Sequence, residues 1–186
     1  MEKKYKIKAV VREVLEYVLW FAGVIVAVHI ITGYVGVFSL VDGASMEPTL
    51  HDREYLWVDK LSYQLHDPER FDIIIFPVEY GGETKHFIKR VIGLPGETVY
   101  IDEDGRIYIN DEVLSEGYGK EVIAPHTRYL AAQPITLGED EYFVLGDNRN
   151  HSSDSRFEVV GNVSGDIILG KAVFRLWPFN RIGLIE

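Results

Sequence analysis

Ser45 lies in the stretch Gly43-Ala44-Ser45-Met46-Glu47-Pro48-Thr49-Leu50. A serine hydroxyl becomes a useful nucleophile only when a neighbouring group takes its proton. Gly43 lets the backbone turn or approach another chain closely. Pro48 fixes its own φ and biases Glu47 away from helix. These neighbours predict a hydroxyl held in rigid, extended surroundings, although the same residues also describe an ordinary turn serine. Two classes of base are available. Histidines His51, His66, His86, His126 and His151 follow the apolar N-terminal run. The other candidate is Lys89, which by strand alternation shares a face with Phe87 and Val91 while Arg90 points the other way. Apolar neighbours disfavour an ammonium and lower its pKa from about 10.4. A lysine made neutral in this way can deprotonate a serine. The plainer alternative is a strand lysine whose head snorkels into water.

A third chemical element is the polar stretch Gly146-Asp147-Asn148-Arg149-Asn150-His151-Ser152-Ser153-Asp154-Ser155-Arg156. Its alternating carboxylates and guanidiniums can build a buried network that keeps a site rigid, or they can form a solvated turn. A phosphate-binding loop is a poor reading, because Gly146 stands alone and no following lysine completes the pattern. Asp147, His151 and Asp154 invite a metal reading, but Arg149 and Arg156 oppose a dense cation site. The expectation is no metal and no cofactor.

These residues must be positioned by a chain of 186 residues with 47% apolar content and a formal net charge of -10. That size suits one domain with an insertion. The acidic balance argues against a nucleic-acid partner. The absence of cysteine excludes disulfides, zinc–thiolate sites and thiol nucleophiles.

No charged residue occurs from Tyr17 to Val41. Counted through Phe38, the run is long enough to cross a bilayer core, which needs about 20 residues. Tyr17, Trp20 and Tyr34 sit where aromatic rings favour the interface. Lys3, Lys4, Lys6, Lys8 and Arg12 precede the run, while Asp42, Glu47 and Asp52 follow it. This asymmetry predicts a cytoplasmic N-terminus and an extracytoplasmic remainder. A cleaved signal peptide is disfavoured by the length of the run and the lack of a convincing A-x-A site before Ser45. His29 has no ionisable neighbour in sequence and reads as a tolerated residue of the span.

The remainder reads as β-structure. Strands are expected at 54–60, at 71–77 with Pro77 ending the run, and at 85–93. A hairpin is expected over 98–110, turning tightly at Asp104-Gly105. Further strands are expected at 142–145 and from Ile167 to Trp177. Residues 110–138 lack periodicity and read as part of an inserted lobe. The fold class is therefore mainly β: a single N-terminal transmembrane helix, then an antiparallel β-sheet catalytic domain with a small inserted β lobe. The expected division is a cytoplasmic tail at 1–14, an anchor at 15–37, a catalytic core at 38–97 and 139–186, and the lobe at 98–138.

Taken together, Ser45–Leu50, Arg70–Phe76, Lys89–Glu97 and Gly146–Arg156 resemble, in order and spacing, the successive boxes of bacterial type I signal peptidases. The single span and short insertion resemble the compact Gram-positive members. The resemblance implies Ser45 as nucleophile, Lys89 as general base, and Ser152 as the hydroxyl that orients Lys89. It implies mainly structural roles for Asp147, Asp154 and Arg156, and an oxyanion hole that uses the Ser45 backbone N–H. Some members add a hydroxyl two residues earlier, where this chain has Gly43. The usual Gly-Asp of the second box is Phe71-Asp72 here. His151 and Ser153 occupy variable positions and receive no role. The implied partners are secretory preproteins and the lipid bilayer, with a monomer cleaving after small residues at −1 and −3. Rival readings are a Ser/His/Asp hydrolase using His86 or His151 with Asp147 or Asp154, an inactive peptide-binding scaffold, and a self-cleaving repressor-type Ser/Lys protease.

Overall fold

The computed structural model describes residues 2–185, with side chains from Val11 onward. Met1, Glu186 and the side chains of Lys3, Lys4, Lys6 and Lys8 lie outside the described residues, so the orientation expected from those lysines has no structural counterpart here. The chain opens with helix α1 (Glu2–Ile30). Its apolar part, continued to Val35, covers 25 residues, none of them packed inside the protein. A π-helical turn (Ile31–Val35) ends the helix, and the chain passes directly into strand β1 (Gly36–Leu40). The apolar run therefore does not stay helical to Phe38 as expected. At Gly36 a Cβ would collide with the Trp57 ring and the Val58 carbonyl. Glycine permits that close approach, and β1 pairs with the next strand from this residue onward.

Next come β2 (Tyr55–Asp59), a short helix α2 (Ser62–Leu65), β3 (Ile73–Tyr80) and β4 (Glu83–Gly93). The expected strands at 54–60 and 85–93 are present. Pro77 does not end β3, which runs three residues further. The neighbour on its far side pairs only with Ile74 and Ile75, so beyond Ile75 the strand is an edge where proline is tolerated.

Strands β5 (Thr98–Ile101), β6 (Ile107–Ile109), β7 (Glu112–Val113) and β8 (Ile135–Thr136) form a separate sheet in the order β7-β6-β5-β8. The hairpin turn is wider than the expected Asp104-Gly105 pair. Pairing stops at Ile101 and Ile107, and the Asp102 carboxylate accepts the Arg106 N–H across the loop. The chain then returns through β9 (Glu141–Leu145), β10 (Val163–Ser164), β11 (Gly170–Trp177) and β12 (Gly183–Leu184). The last long strand begins at Gly170 rather than Ile167. Asp140 draws in the Ser164 hydroxyl and the Gly165 and Asp166 N–H groups, winding residues 165–167 into a 3-10 turn. The main sheet runs β1-β2-β11-β3-β4-β9-β10, with β12 added on β11.

Period-two alternation divides the interior. Ile73 and Ile75 of β3 join Met46, Leu50, Leu56 and Ile88 in one cluster. Ile74, Phe76 and Val78 face the other way and join Val91, Tyr142 and Val144. A third cluster, built on Ile92, Val99, Ile101 and Phe143, ties the small sheet to the large one. Leu50 lies wholly within the first cluster, beneath the Ser45 segment. Leu50→Ala is expected to destabilise the protein by about 2–5 kcal/mol; thermal unfolding of the full chain in detergent micelles checks this.

Candidate active site

Ser45 sits in a run of turns rather than the extended segment expected from Pro48. Backbone hydrogen bonds from Glu47 to Ala44 (3.2 Å) and from Leu50 to Met46 (2.9 Å) curl the segment, and burial of Met46 and Leu50 fastens the curl to the core. The half-buried Ser45 hydroxyl faces Lys89, whose ammonium donates to Ser45 Oγ at 2.8 Å. The same nitrogen donates to the Ile88 carbonyl at 2.9 Å and lies 5.1 Å from the centre of the Phe87 ring. That contact agrees with the alternation read from sequence. Lys89 is only 4% exposed. Desolvation lowers its pKa from an ordinary 10.5 to about 8, against the opposing pull of Asp154 and Asp147. The snorkelling alternative is thereby corrected, because the amine is buried against Ser45, Ile88 and Phe87 instead of reaching out into bulk water.

The stretch Gly146–Arg156 is buried for most of its length, not a solvated turn. Asp147 accepts Arg90 Nε at 2.9 Å and Nη2 at 2.8 Å, with both side chains almost wholly buried. The Thr49 hydroxyl donates to the same carboxylate at 2.6 Å. Asp154 holds Arg156 in the same two-pronged way, at 2.8 Å from each nitrogen. Arg156 also donates to the carbonyls of Thr127 and Arg149. Between these pairs, Asn148 grips the Ser45 segment: its N–H donates to the Ser45 carbonyl at 3.0 Å and its side-chain amide to the Ala44 carbonyl at 3.0 Å. Gly146 makes that approach possible, since a Cβ there would strike Ser152 Oγ and the Ser45 carbonyl.

Ser152 is buried beside this contact, yet the hydrogen bond expected between it and Lys89 is not formed. The amine is engaged by Ser45 and Ile88, and Ser152 Oγ, pressed against Gly146, has no hydrogen-bond partner among the described residues. The histidine alternative fares worse. His86 and His151 are exposed on the rim of the cavity, while Asp147 and Asp154 are consumed by their arginines. No group of residues suited to a metal occurs among the described residues.

Arg90, Thr49 and Asn148 also belong to the site, although no local sequence pattern assigns them a part. The signal for Arg90 is its strand position, opposite in face to Lys89, with the carboxylates of the 146–156 loop as available partners. Nothing in sequence pairs Asn148 with Ala44. The cavity over the dyad has a volume of about 580 Å³. Residues Leu40–Met46 form one wall and Lys85–Lys89 the other. Strand β9 joins β4 only from Arg90 onward, so β4 presents an unpaired edge before that point.

A hydroxyl hydrogen-bonded to a desolvated amine at the floor of an open groove is the arrangement of a serine hydrolase with an amine as its base. The chain belongs to the signal peptidase family, peptidase S26, whose family model matches residues 14–177. Among its relatives, signal peptidase I of Leptolyngbya laminosa is 42% identical over 149 residues, covering 77% of this chain and 70% of the relative. Signal peptidase I of Bacillus amyloliquefaciens is 37% identical over 171 residues, covering 88% of this chain and 89% of the relative. Signal peptidase I T of Bacillus subtilis is 36% identical over 176 residues, covering 89% and 88%.

Two outcomes follow from the burial. Asp147→Asn strands the Arg90 guanidinium in the interior and is expected to lower stability by about 3–5 kcal/mol, read as a reduced unfolding midpoint. Lys89 releases its proton near pH 8 when folded but near 10.5 when unfolded. Between those values the unfolded chain binds more protons, so stability rises with pH across that window. Lys89→Met is expected to flatten that rise in unfolding curves taken from pH 7.5 to 10.5.

Proposed function

We propose that this chain is a membrane-anchored endopeptidase that removes N-terminal signal peptides from secretory preproteins, with Ser45 as nucleophile and Lys89 as general base. The observation that carries the reading is the 2.8 Å contact between Lys89 Nζ and Ser45 Oγ at a buried amine. With Lys89 neutral, the contact runs from hydroxyl to nitrogen lone pair. As Ser45 Oγ attacks the scissile carbonyl, its proton passes to Lys89. The carbonyl oxygen takes up negative charge, and the Ser45 N–H, which donates to nothing among the described residues, is the donor assigned to it. Lys89 then returns the proton to the departing amine, the C–N bond breaks and Ser45 carries the acyl group. A water deprotonated by Lys89 attacks the ester, and Ser45 recovers its proton.

The groove suits an extended peptide laid along the free edge of β4 at Lys85–Lys89, facing Leu40–Gly43 across the cavity. Main-chain pairing of this kind is indifferent to sequence, so selection of small residues at −1 and −3 falls to the groove floor beside Ser45. Asp147, Asp154 and Arg156 serve as the rigid backing of the dyad.

Helix α1 is assigned as the bilayer anchor, with its N-terminus cytoplasmic and the β-domain outside. The aromatic residues Phe38, Trp177 and Phe179 lie exposed on β1 and around the end of β11. That placement supports the domain resting against the lipid surface. A substrate held by its own signal helix then meets the groove in two dimensions, at raised effective concentration. Residues 98–138 form an inserted lobe in this division of the chain.

The deciding experiment is cleavage of one preprotein by the full chain in detergent micelles. Ser45→Ala and Lys89→Ala are each expected to lower kcat by roughly 10³-fold or more, while His86→Ala/His151→Ala stays within about tenfold of wild type. The rising limb of kcat/KM against pH is expected near pH 8, because the base works only when unprotonated. A folded Lys89→Ala that still cuts would hand the role to histidine.

A further inference from the structure

The segment from Glu116 to Val122 has no helix or strand, yet it meets the site loops at almost every step. The Glu116 carboxylate takes both terminal nitrogens of Arg149. The Lys120 N–H donates to the Asp147 carbonyl at 2.8 Å, and its ammonium pairs with Glu47 at 2.9 Å. Glu121 accepts the Asn150 N–H at 2.8 Å, and the Val122 carbonyl accepts the Asn150 side chain at 2.9 Å. In the middle of this strap, the Tyr118 ring lies 3.7 Å from the guanidinium carbon of Arg90 and packs on Phe71 at 5.1 Å. A cation covered by an aromatic face is held electrostatically by the ring and shielded from water.

We propose that Tyr118 is a positioning residue for the peptidase reaction, acting through Arg90 and Asp147 to keep Ser45 and Lys89 in register. The proposal rests on the Ser45/Lys89 reading above. Tyr118 does not line the groove, so it has no contact with the substrate to lose. Its reach is indirect. Arg90 and Thr49 together engage the Asp147 carboxylate, and the next residue, Asn148, clamps the carbonyls of Ala44 and Ser45. Uncovering Arg90 lets water compete for Asp147, loosens that clamp and hydrates the space behind Lys89. Hydration favours the ammonium, so the working pKa of the base climbs. The charged groups around Lys89 are Asp147 and Asp154 behind it and Asp42, Lys85, His86 and His151 around the cavity. Exchanging Tyr118 adds and removes no charge, so a shifted limb reports the altered hydration and geometry of these groups.

The test compares wild type, Tyr118→Phe, Tyr118→Leu and Tyr118→Ala as full chains in detergent micelles on one preprotein, with Ser45→Ala as the blank. Tyr118→Ala is expected to lose about tenfold or more in kcat with KM changed less than about twofold. Its rising pH limb is expected to move up by about half a unit or more. Tyr118→Phe keeps the ring over Arg90 and is expected to restore both parameters. A folded Tyr118→Ala with wild-type kcat and limb overturns the proposal, as does a Tyr118→Phe no better than alanine. If the alanine variant unfolds below the assay temperature, Tyr118→Leu decides: slowed kcat with a raised limb supports the proposal, and activity equal to Tyr118→Phe overturns it. A wild type that cuts no better than Ser45→Ala sinks the dyad reading, and this proposal falls with it.

Discussion

The desolvation of one amine sets the terms for the rest of the protein. Lys89 can act as a base near neutrality only if water is kept from it, and a buried lysine among apolar side chains is at odds with folding while it carries its proton. The sheet meets this demand by placing Lys89 where β4 leaves its pairing with β9, between Phe87 and the curl that carries Ser45. The carboxylates behind it are themselves spoken for by Arg90 and Arg156. Their charge reaches Lys89 only as a partial counterweight to burial, and the amine stays poised instead of becoming a fixed half of an ion pair.

Thr49 is where the two polar halves of the structure meet. Its hydroxyl binds Asp147, and its carbonyl accepts Arg175 at 2.6 Å. Arg175 in turn pairs with the buried Glu54 at 2.7 Å, as does Arg181 at 2.7 Å. The segment after Ser45 is thus gripped from the Gly146–Arg156 loop on one side and from β11 and the C-terminal turn on the other. Satisfied networks of this kind favour one arrangement over near alternatives, because each member left unpaired in the interior is costly. The geometry of Ser45 is thereby set by residues distant from it in sequence.

Much of this was legible beforehand, and the exceptions have physical causes. Ser45, Lys89 and the polar loop could be read because their signals are local: a glycine–proline frame, an alternating strand, a dense polar run. The strands at 54–60 and 85–93 were readable for the same reason. Where the chain departed from expectation, tertiary contact prevailed over local pattern. Gly36 admits the Trp57 ring and turns an apolar run from helix to strand. Pro77 survives inside β3 because its second neighbour has already left. Burial of Met46 and Leu50 curls a segment that Pro48 alone would extend. Ser152 lies against Gly146 and makes no bond to Lys89, and the strap around Tyr118 has no periodicity to betray it.

The joint between α1 and β1 has a mechanical consequence. The helix does not end in a slack linker. Its last carbonyls, normally orphaned at a helix terminus, are taken by the domain: Thr32 by the Lys60 ammonium at 2.9 Å, Tyr34 by Gln64 at 2.8 Å, and Val35 by the Lys60 N–H at 2.9 Å. The helix is therefore a lever about 40 Å long bolted to the edge of the sheet that also forms one wall of the groove. With α1 as the anchor, its tilt in the bilayer sets the pitch and height of the groove above the lipid. A thicker or thinner membrane, by changing that tilt, alters which bond of a tethered chain comes level with Ser45.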